Sequence, residues 1–561
     1  MAKKPATYSD NNGKEHCRIG DSLFSKASGW MSLSQETCEY FYPERADYTK
    51  ASQMGDDMAG DLMDSYPVMA RGQLGDSIEA MLRQGDWFAI GTGDEDRDKK
   101  GPNARGLDRL TRKLRSIVND PKTQFMVATK EADHDWVSVG NPVLTVEASR
   151  YRTHMIVKAH HPRDVVWMQN SDRVRDTFYR KFTMPARDVI QRVESGAWTG
   201  TIHPDIRTRA KNNPDDPIEL LHCLCPMDMT YGSDPDKKRK LGNKQWMSSY
   251  YDREHNITLN ERGAPMLNYL APRYRTLSQS PRGFSPVATQ TLPSGRTAQA
   301  LAAILLEQGE MAVNPPIIGN GEMFTRDINI YAGGFTYVDL ASGQKLGDSM
   351  TVLDTAKNMP LGLEMMRDLR QMVAEGFLLN RLVLPNTREM TAYEASIRTD
   401  EFRRAALPFF NPIDAEYHSP LLDMMLGMAI HLKQIDLAEI PRELQGAEIS
   451  YRFQSPLRDA DGQKLVQAFE KSMQIVAASA QVDQGIARIF DIREATADAV
   501  RGAGARPSWF VDEASREKID AEDARLKDAM RTAAALKEGA SVVADVSAGK
   551  MAAEQSGLVP A

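Results

Sequence analysis

The chain has 561 residues, 41% of them apolar, with 70 Lys and Arg against 77 Asp and Glu for a formal net charge of −7. That length exceeds what one hydrophobic core serves, so roughly three or four structural units are expected. The mixed, slightly acidic charge excludes a static grip on nucleic acid, which needs clustered Lys and Arg to release counterions, and apolar runs about half the ~20 residues of a bilayer span exclude a membrane helix.

Cys17, Cys38, Cys223 and Cys225, with an amino terminus that lacks the apolar core of a signal peptide, point to synthesis in a reducing compartment with free thiols. Residues 1 to about 120 read as largely helical. Ala51 to Tyr66, Leu74 to Gln84 and Gly106 to Asn119 are the helix candidates, and Trp87-Phe88-Ala-Ile90 is a buried link ended by the polar run from Gly91 to Arg105. From Lys122 the texture alternates, which predicts strands at Gln124 to Thr129, Trp136 to Glu147, His154 to Lys158 and Asp164 to Met168. Pro185 starts a helix to about Glu194, with Asp188 near its positive end. Ile218 to Cys225 and Lys244 to Tyr251 are two more strands, and Lys237-Lys-Arg-Lys240 between them reads as a solvated hairpin tip. His222, Cys223 and Cys225 lack the spacing of a zinc site and read as buried strand residues.

Ser294 to Asn380 is the most informative stretch: two amphipathic helices bracket a Pro- and Gly-punctuated insert. Ala298, Leu301, Ile304, Leu305 and Ala312 share a face at period 3.6, as do Leu361, Met365, Leu369, Met372, Val373 and Phe377. Asn314-Pro-Pro-Ile-Ile-Gly-Asn-Gly321 stops the first helix, and Ile328 to Tyr331 and Phe335 to Val338 are short strands around Gly333-Gly334. Leu301, Leu305, Leu361, Met365, Leu369 and Phe377 are the candidates for contact with further copies of the chain. Beyond them, Thr391-Ala-Tyr-Glu394 is a capping box that starts a helix to about Ala406. A Met-rich helix from Pro420 to Lys433 uses Met424, Met425 and Met428 as core filler. Glu448 to Phe453 alternates as a strand, and Asp461 to Ala480, Ile486 to Val500 and Asp512 to Leu536 are helices.

The order of these elements resembles the head-to-tail connecting, or portal, proteins of short-tailed (podovirus) bacteriophages. The strings that carry the resemblance are Tyr40 to Thr49, Trp87-Phe88, Val139-Gly-Asn-Pro-Val143, Phe178-Tyr-Arg-Lys-Phe182, His222, Pro281-Arg-Gly-Phe-Ser-Pro286, Val313-Asn-Pro-Pro316, Met390-Thr-Ala-Tyr-Glu394 and Phe453-Gln-Ser-Pro-Leu457. The resemblance implies a mixed α/β, mainly helical portal fold that assembles as a ring, of twelve subunits in that family. Its wing would take residues 1–290, its stem helices 291–314 and 350–380, and its clip 315–349. The channel loop and wing return would take 381–482, and the crown and carboxy-terminal tail 483–561.

Such a ring sits at one capsid vertex of the virion, passes double-stranded DNA without sequence specificity, and meets capsid and scaffolding proteins, the terminase large subunit and then tail adaptors. No cofactor, metal or membrane is implied. Glu322, Asp327, Asp339 and Asp348 against Arg326 and Lys345 leave the clip two net negative charges per copy, which repels phosphates around a ring instead of trapping them. Lys357, Arg367, Arg370, Arg381 and Arg388 are candidates for fleeting DNA contacts, or equally for ion pairs with Glu364, Asp368 and Glu375. Glu322, Arg326, Asp327, Tyr331, Tyr337 and Lys345 are candidates for docking terminase and tail.

Two other readings compete. Gly20-Asp-Ser-Leu23 with Asp252-Arg-Glu-His255 spells a GDSL-type esterase triad of Ser22, Asp252 and His255, although no buried strand precedes the serine. Another structural adaptor ring of the virion would share the charge and helix content. A packaging ATPase is excluded, because no G-x-x-x-x-G-K-[ST] loop is present.

Overall fold

The computed structural model describes residues 11–53, 55–94, 97–98, 101–228, 239, 241–278, 280–320, 331–338, 350–352, 359–379, 412–436, 448–453, 460–480, 492–503, 519 and 521–532. The chain is mixed α/β and mainly helical. It divides into two units interleaved in sequence. The first holds Met1–Phe88, Lys113–Asp436 and Phe453–Ala460; the second holds Ala89–Arg112, Leu437–Arg452 and Asp461–Ala561.

The first unit opens with helices α1 (Asn11–Lys26), α2 (Ser28–Phe41) and α3 (Tyr66–Leu82). The expected helix at Ala51 to Tyr66 does not form. Asp56 accepts the Gln53 N–H at 2.6 Å and Asp57 accepts the Ala59 N–H at 3.0 Å, and such local side-chain bonds compete with a helix ladder. Helix α3 begins only where Pro67 supplies the fixed φ of a first turn.

Strand β1 (Phe88–Gly91), all but its first residue in the second unit, pairs with a strand near residue 450, and helix α4 (Gly101–Val118), which starts in that unit, supplies Thr111, whose hydroxyl accepts the Ile90 N–H at 3.0 Å. Back in the first unit, helix α5 (Phe125–Val139) replaces the strands expected at Gln124 to Thr129 and from Trp136. Its Val, Thr and Trp favour strands locally, yet Phe125, Ala128, Ala132, Trp136 and Val139 fall at helical period and are all buried. Gly140, left-handed at φ 77°, ends it.

Strands β2 (Val143–Ala148) and β3 (Met155–His160) follow, then β4 (Val165–Gln169), β5 (Arg175–Pro185), helices α6 (Ala186–Glu194) and α7 (Pro204–Asn212), β6 (Pro217–Pro226), β7 (Trp246–Asp252), β8 (Ile257–Ala264) and β9 (Tyr269–Leu270). Pro185 stands just before α6, not inside its first turn. β4 to β8 form one antiparallel meander in chain order, with Phe178 opposite Leu224 and His222 opposite Tyr250. β2 pairs with both β3 and β9. Alternation assigns each face of the meander its cover. Leu221, Cys223 and Cys225 pack with Cys17 of α1 on one side, while Leu224 and Phe178 pack with Trp167 and Tyr269 on the other. Most of the Lys237 to Lys240 tip lies outside the described residues.

Helix α8 (Pro286–Val313) leads to the central insert, and helix α9 (Met359–Gly376) follows it. A π-turn at Asp414–His418 then leads into α10 (Ser419–His431). Leu421, Leu422, Met424, Met425, Leu426 and Met428 are buried, so these methionines are core filler. The second unit is completed by the partner of β1, strand β10 (Ser450–Phe453), and by α11 (Ala460–Ala480), α12 (Ile492–Gly502) and helical residues 521–532. The capping box at Thr391 to Glu394 lies outside the described residues.

Two histidines report on the sheet. His222 lies between the Tyr269 hydroxyl at 2.7 Å and the Ser248 hydroxyl at 2.9 Å, and burial pushes it down to about 3. Burial, and then the neighbouring Arg180, push His160 down to about 3 as well. Both rings stay neutral in the fold but titrate near ~6.5 once unfolded. The unfolded chain therefore binds more protons below that value, and stability falls as pH drops, by about 1.4 kcal/mol per pH unit for each ring. Urea midpoints at pH 7.5, 6 and 5 are expected to decrease in that order; a midpoint that stays level or rises contradicts neutral burial.

Candidate assembly and conduit surface

The helix pair is rooted in a clasp. The Ser285 hydroxyl caps α8 by accepting the Ala288 N–H at 3.2 Å and donates to the Val137 carbonyl, while Pro286 takes the first helical position. The Asn141 side chain accepts the Gly283 N–H at 2.8 Å and donates to the Gly283 carbonyl at 2.6 Å. A Cβ on Gly140 would lie 2.4 Å from Phe284 and Ser285 backbone atoms, so only glycine allows the approach. The Arg282 guanidinium sits 4.2 Å from the ring centroids of both Trp30 and Trp167, whose faces offset its burial. Residues 139–143 and 281–286, far apart in sequence, are thus two halves of one device.

Residues 40–49 pin the same region. Arg45 pairs with Asp135 at 2.7 Å and Glu131 at 3.0 Å, and Asp47 pairs with Arg163 at 2.6 Å and His161 at 2.5 Å.

α8 and α9 run antiparallel in close contact. A Cβ on Gly362 would lie 2.6 Å from Leu305 Cδ2, and one on Gly376 would lie 2.1 Å from Thr291 Oγ1. At the root, Phe41 and Phe377 meet edge to face at 5.0 Å, and Gly295 leaves room for the Phe41 ring. Gln299 accepts the Met63 and Asp64 N–H groups at 2.8 and 2.9 Å and donates to the Asp64 carbonyl at 2.6 Å. The Asp64 carboxylate takes Arg370 at 2.9 Å.

These contacts redistribute the candidate residues. Arg370, expected against phosphate or against Glu364, Asp368 and Glu375, is committed to Asp64 of its own chain. Phe377 is fully buried and Leu305 packs against Gly362, so neither faces outward. Leu301 and Leu369 are half-buried. Leu361 and Met365 are exposed, at 59% and 49%, and are joined by Leu363 and Met372 on α9 and by Ile304, Leu306 and Val313 on α8. The single stripe read on α9 is therefore two faces, one locked into the protomer and one open. Arg367 is exposed. Lys357, Arg381 and Arg388 lie outside the described residues.

At the far end of the pair, strands β11 (Ile317–Asn320), β12 (Phe335–Val338) and β13 (Met350–Val352) form a three-stranded tip. β11 is central, parallel to β12 and antiparallel to β13. Prolines 315 and 316 end the helix as read, but residues just after them enter a strand, because the Gly334 carbonyl accepts the Ile317 N–H at 2.9 Å. Gly333, left-handed at φ 73°, turns the chain there. Tyr331 is 60% exposed, and Tyr337 stands opposite Gly319 in the parallel register. Glu322, Arg326, Asp327, Lys345 and the Ile328 end of the first expected strand lie outside the described residues.

The esterase geometry is not assembled. Ser22 is an exposed residue within α1, not at the strand-to-helix turn that a nucleophile needs. Asp252 does bind His255 at 2.6 Å, but the other ring nitrogen faces Asp205 at 3.7 Å. Asp205, Glu254 and His255 lie close enough to hold a metal ion, yet Arg209 already neutralises both carboxylates at 3.1 and 2.8 Å. Cys223 and Cys225 are fully buried in the sheet face that packs on α1.

No curated protein matches the chain. The family model of the bacteriophage head to tail connecting protein matches residues 18–511, a span that contains the clasp, both helices and the tip. With the geometry and this match in agreement, the chain belongs to the bacteriophage head to tail connecting protein family, and its role is that of a structural connector, not an enzyme.

Proposed function

We propose that copies of this chain stand side by side as a ring at one capsid vertex of a short-tailed phage, and that double-stranded DNA passes through the ring during packaging and ejection. The observation that carries this reading is the divided helix pair. One side is locked into the protomer through Phe377, Gln299 and Arg370, while Leu361, Met365 and Met372 stand open at helical spacing in a row that a neighbouring copy would cover. Burial of apolar side chains at ~25 cal/mol per Å² makes that row costly to leave in water.

In this reading the body is the wing, α8 and α9 the stem, the three-stranded tip the clip, and the second unit contributes the crown. Capsid and scaffolding proteins would meet the wing, and the terminase large subunit and then tail adaptors the clip, with Tyr331 and Tyr337 as contact candidates. Twelve copies are expected by analogy with portals of this type. Negative-stain class averages of purified chain, with the mass measured in parallel, test it. Closed rings with a central hole and about twelve-fold symmetry are expected; a monomer at tens of micromolar overturns the reading.

A further inference from the structure

A cavity of about 800 Å³ opens between the β2–β3 turn, α6, the β7 and β8 edge of the meander and α10. Its wall carries Arg150 and Arg152 from the turn, Lys158 from β3, Arg192 from α6, Lys244 just before β7 and Arg262 from β8. Only two carboxylates share it. Glu147 is bound to Lys158 at 2.9 Å, and Asp188 lies 3.7 Å from Arg187 outside the cavity. Among the described residues, none of Arg150, Arg152, Arg192, Lys244 and Arg262 is in an ion pair, and all five are exposed. Like charges gathered around one concave wall raise its potential and favour an anionic occupant.

The turn that presents two of these arginines is built. Arg152 holds a left-handed φ of 54°, which an L side chain other than Asn or Gly adopts at a cost. Its N–H donates to the Ser149 carbonyl at 2.8 Å, and the Ser149 hydroxyl accepts the Thr153 N–H at 3.2 Å. Arg192 lies over the buried Trp198 ring at 5.2 Å, which fixes its stem beside the opening. Guanidinium forks match phosphate oxygens in pairs, and the volume falls in the ~300–1,000 Å³ range of small-ligand sites.

We propose that this cavity binds linked phosphate groups, supplied either by a free polyphosphate or nucleotide or by the backbone of a nucleic-acid strand that reaches it. The site is separate from the helix pair and stands whether or not the ring reading holds.

Calorimetric titration of the full chain with inorganic triphosphate, with a single-stranded octanucleotide and with an octaglutamate peptide tests it. Triphosphate is expected to bind, and Arg150→Glu with Arg262→Glu to weaken it at least tenfold, while Lys26→Glu on α1 leaves it unchanged. Arg192→Gln with Lys244→Gln, a milder pair that keeps the test open should the charge reversal disturb folding, is expected to weaken it about threefold. Tighter binding of the octanucleotide than of triphosphate assigns the phosphates to a nucleic-acid strand, and the reverse assigns them to a free anion. Absence of binding by both phosphate ligands, an unchanged affinity in the charge-altered variants, or octaglutamate binding as tightly as the better phosphate ligand overturns the proposal.

Discussion

Met365→Asp combined with Met372→Asp is expected to yield a chain that folds normally and no longer multimerises. Both side chains are about half exposed in the protomer, so a carboxylate there costs the isolated fold little. In an interface between copies the same carboxylates would be stripped of water without a partner, a penalty of several kcal/mol at each contact and multiplied around a ring. Leu361→Asp should act in the same direction. Phe377→Asp is the contrasting case: that ring is fully buried against Phe41, and truncating such a side chain even to Ala costs about 3–5 kcal/mol. It should unfold the root of the helix pair before assembly is in question. Light scattering behind gel filtration reads assembly and a circular-dichroism melt reads folding. Intact multimers in the methionine double variant would show that the open face is not an interface, and a wild-type melt for Phe377→Asp would show that the root is not core.

Arg83→Met should be the most damaging conservative-sized change in the body. Arg83 and Asp133 are both buried, with the guanidinium bonded to both carboxylate oxygens. Arg83 also reaches His418 at 3.3 Å, and that ring bonds Asp414 at 3.0 Å. Removing the cation leaves a buried carboxylate uncompensated, which costs about 3–5 kcal/mol. Removing both partners, as in Arg83→Met with Asp133→Leu, leaves no buried charge and should recover most of the loss. Urea unfolding of the two single variants and the double variant measures the coupling. A double variant as unstable as the sum of the singles would mean that the pair does not act as one unit.

What was legible in the sequence was what periodicity writes locally. β3, β4, β6, β7, α6 and α10 all fall close to the spans that their alternation or 3.6-residue spacing gives, whereas α8 starts at Pro286 instead of 291 and α9 at Met359 instead of 350, because Met350–Val352 pairs into the tip as strand β13. α5 reads as strand because Val127, Thr129, Trp136 and Val137 favour strands, and only the buried positions reveal its helical period. β5 and β8 are not marked by their sequence pattern: β5 carries Arg175, Arg180 and Lys181 among its aromatics, and β8 alternates weakly around Asn260, Glu261 and Arg262. The site was legible as two helices and a tip, but not in its division into a locked and an open face. Arg370 finds Asp64 across 306 positions of sequence, and no local pattern on α9 announces that partner. The clasp is the opposite case, since the strings around Asn141 and Gly283 are conspicuous in the sequence and their reciprocal bonding is the reason.

The interleaving of the two units sets a timetable for synthesis. Ala89–Arg112 leaves the ribosome early, but the segments it belongs with, Leu437–Arg452 and Asp461–Ala561, are synthesised only after the whole of Lys113–Asp436. At about 5–20 residues per second that wait is tens of seconds. Nascent chains can settle their meander and helix pair meanwhile, yet the second unit gains its later segments only after Asp436 has been made. Chains truncated before Leu437 would therefore strand Ala89–Arg112 without the segments it belongs with.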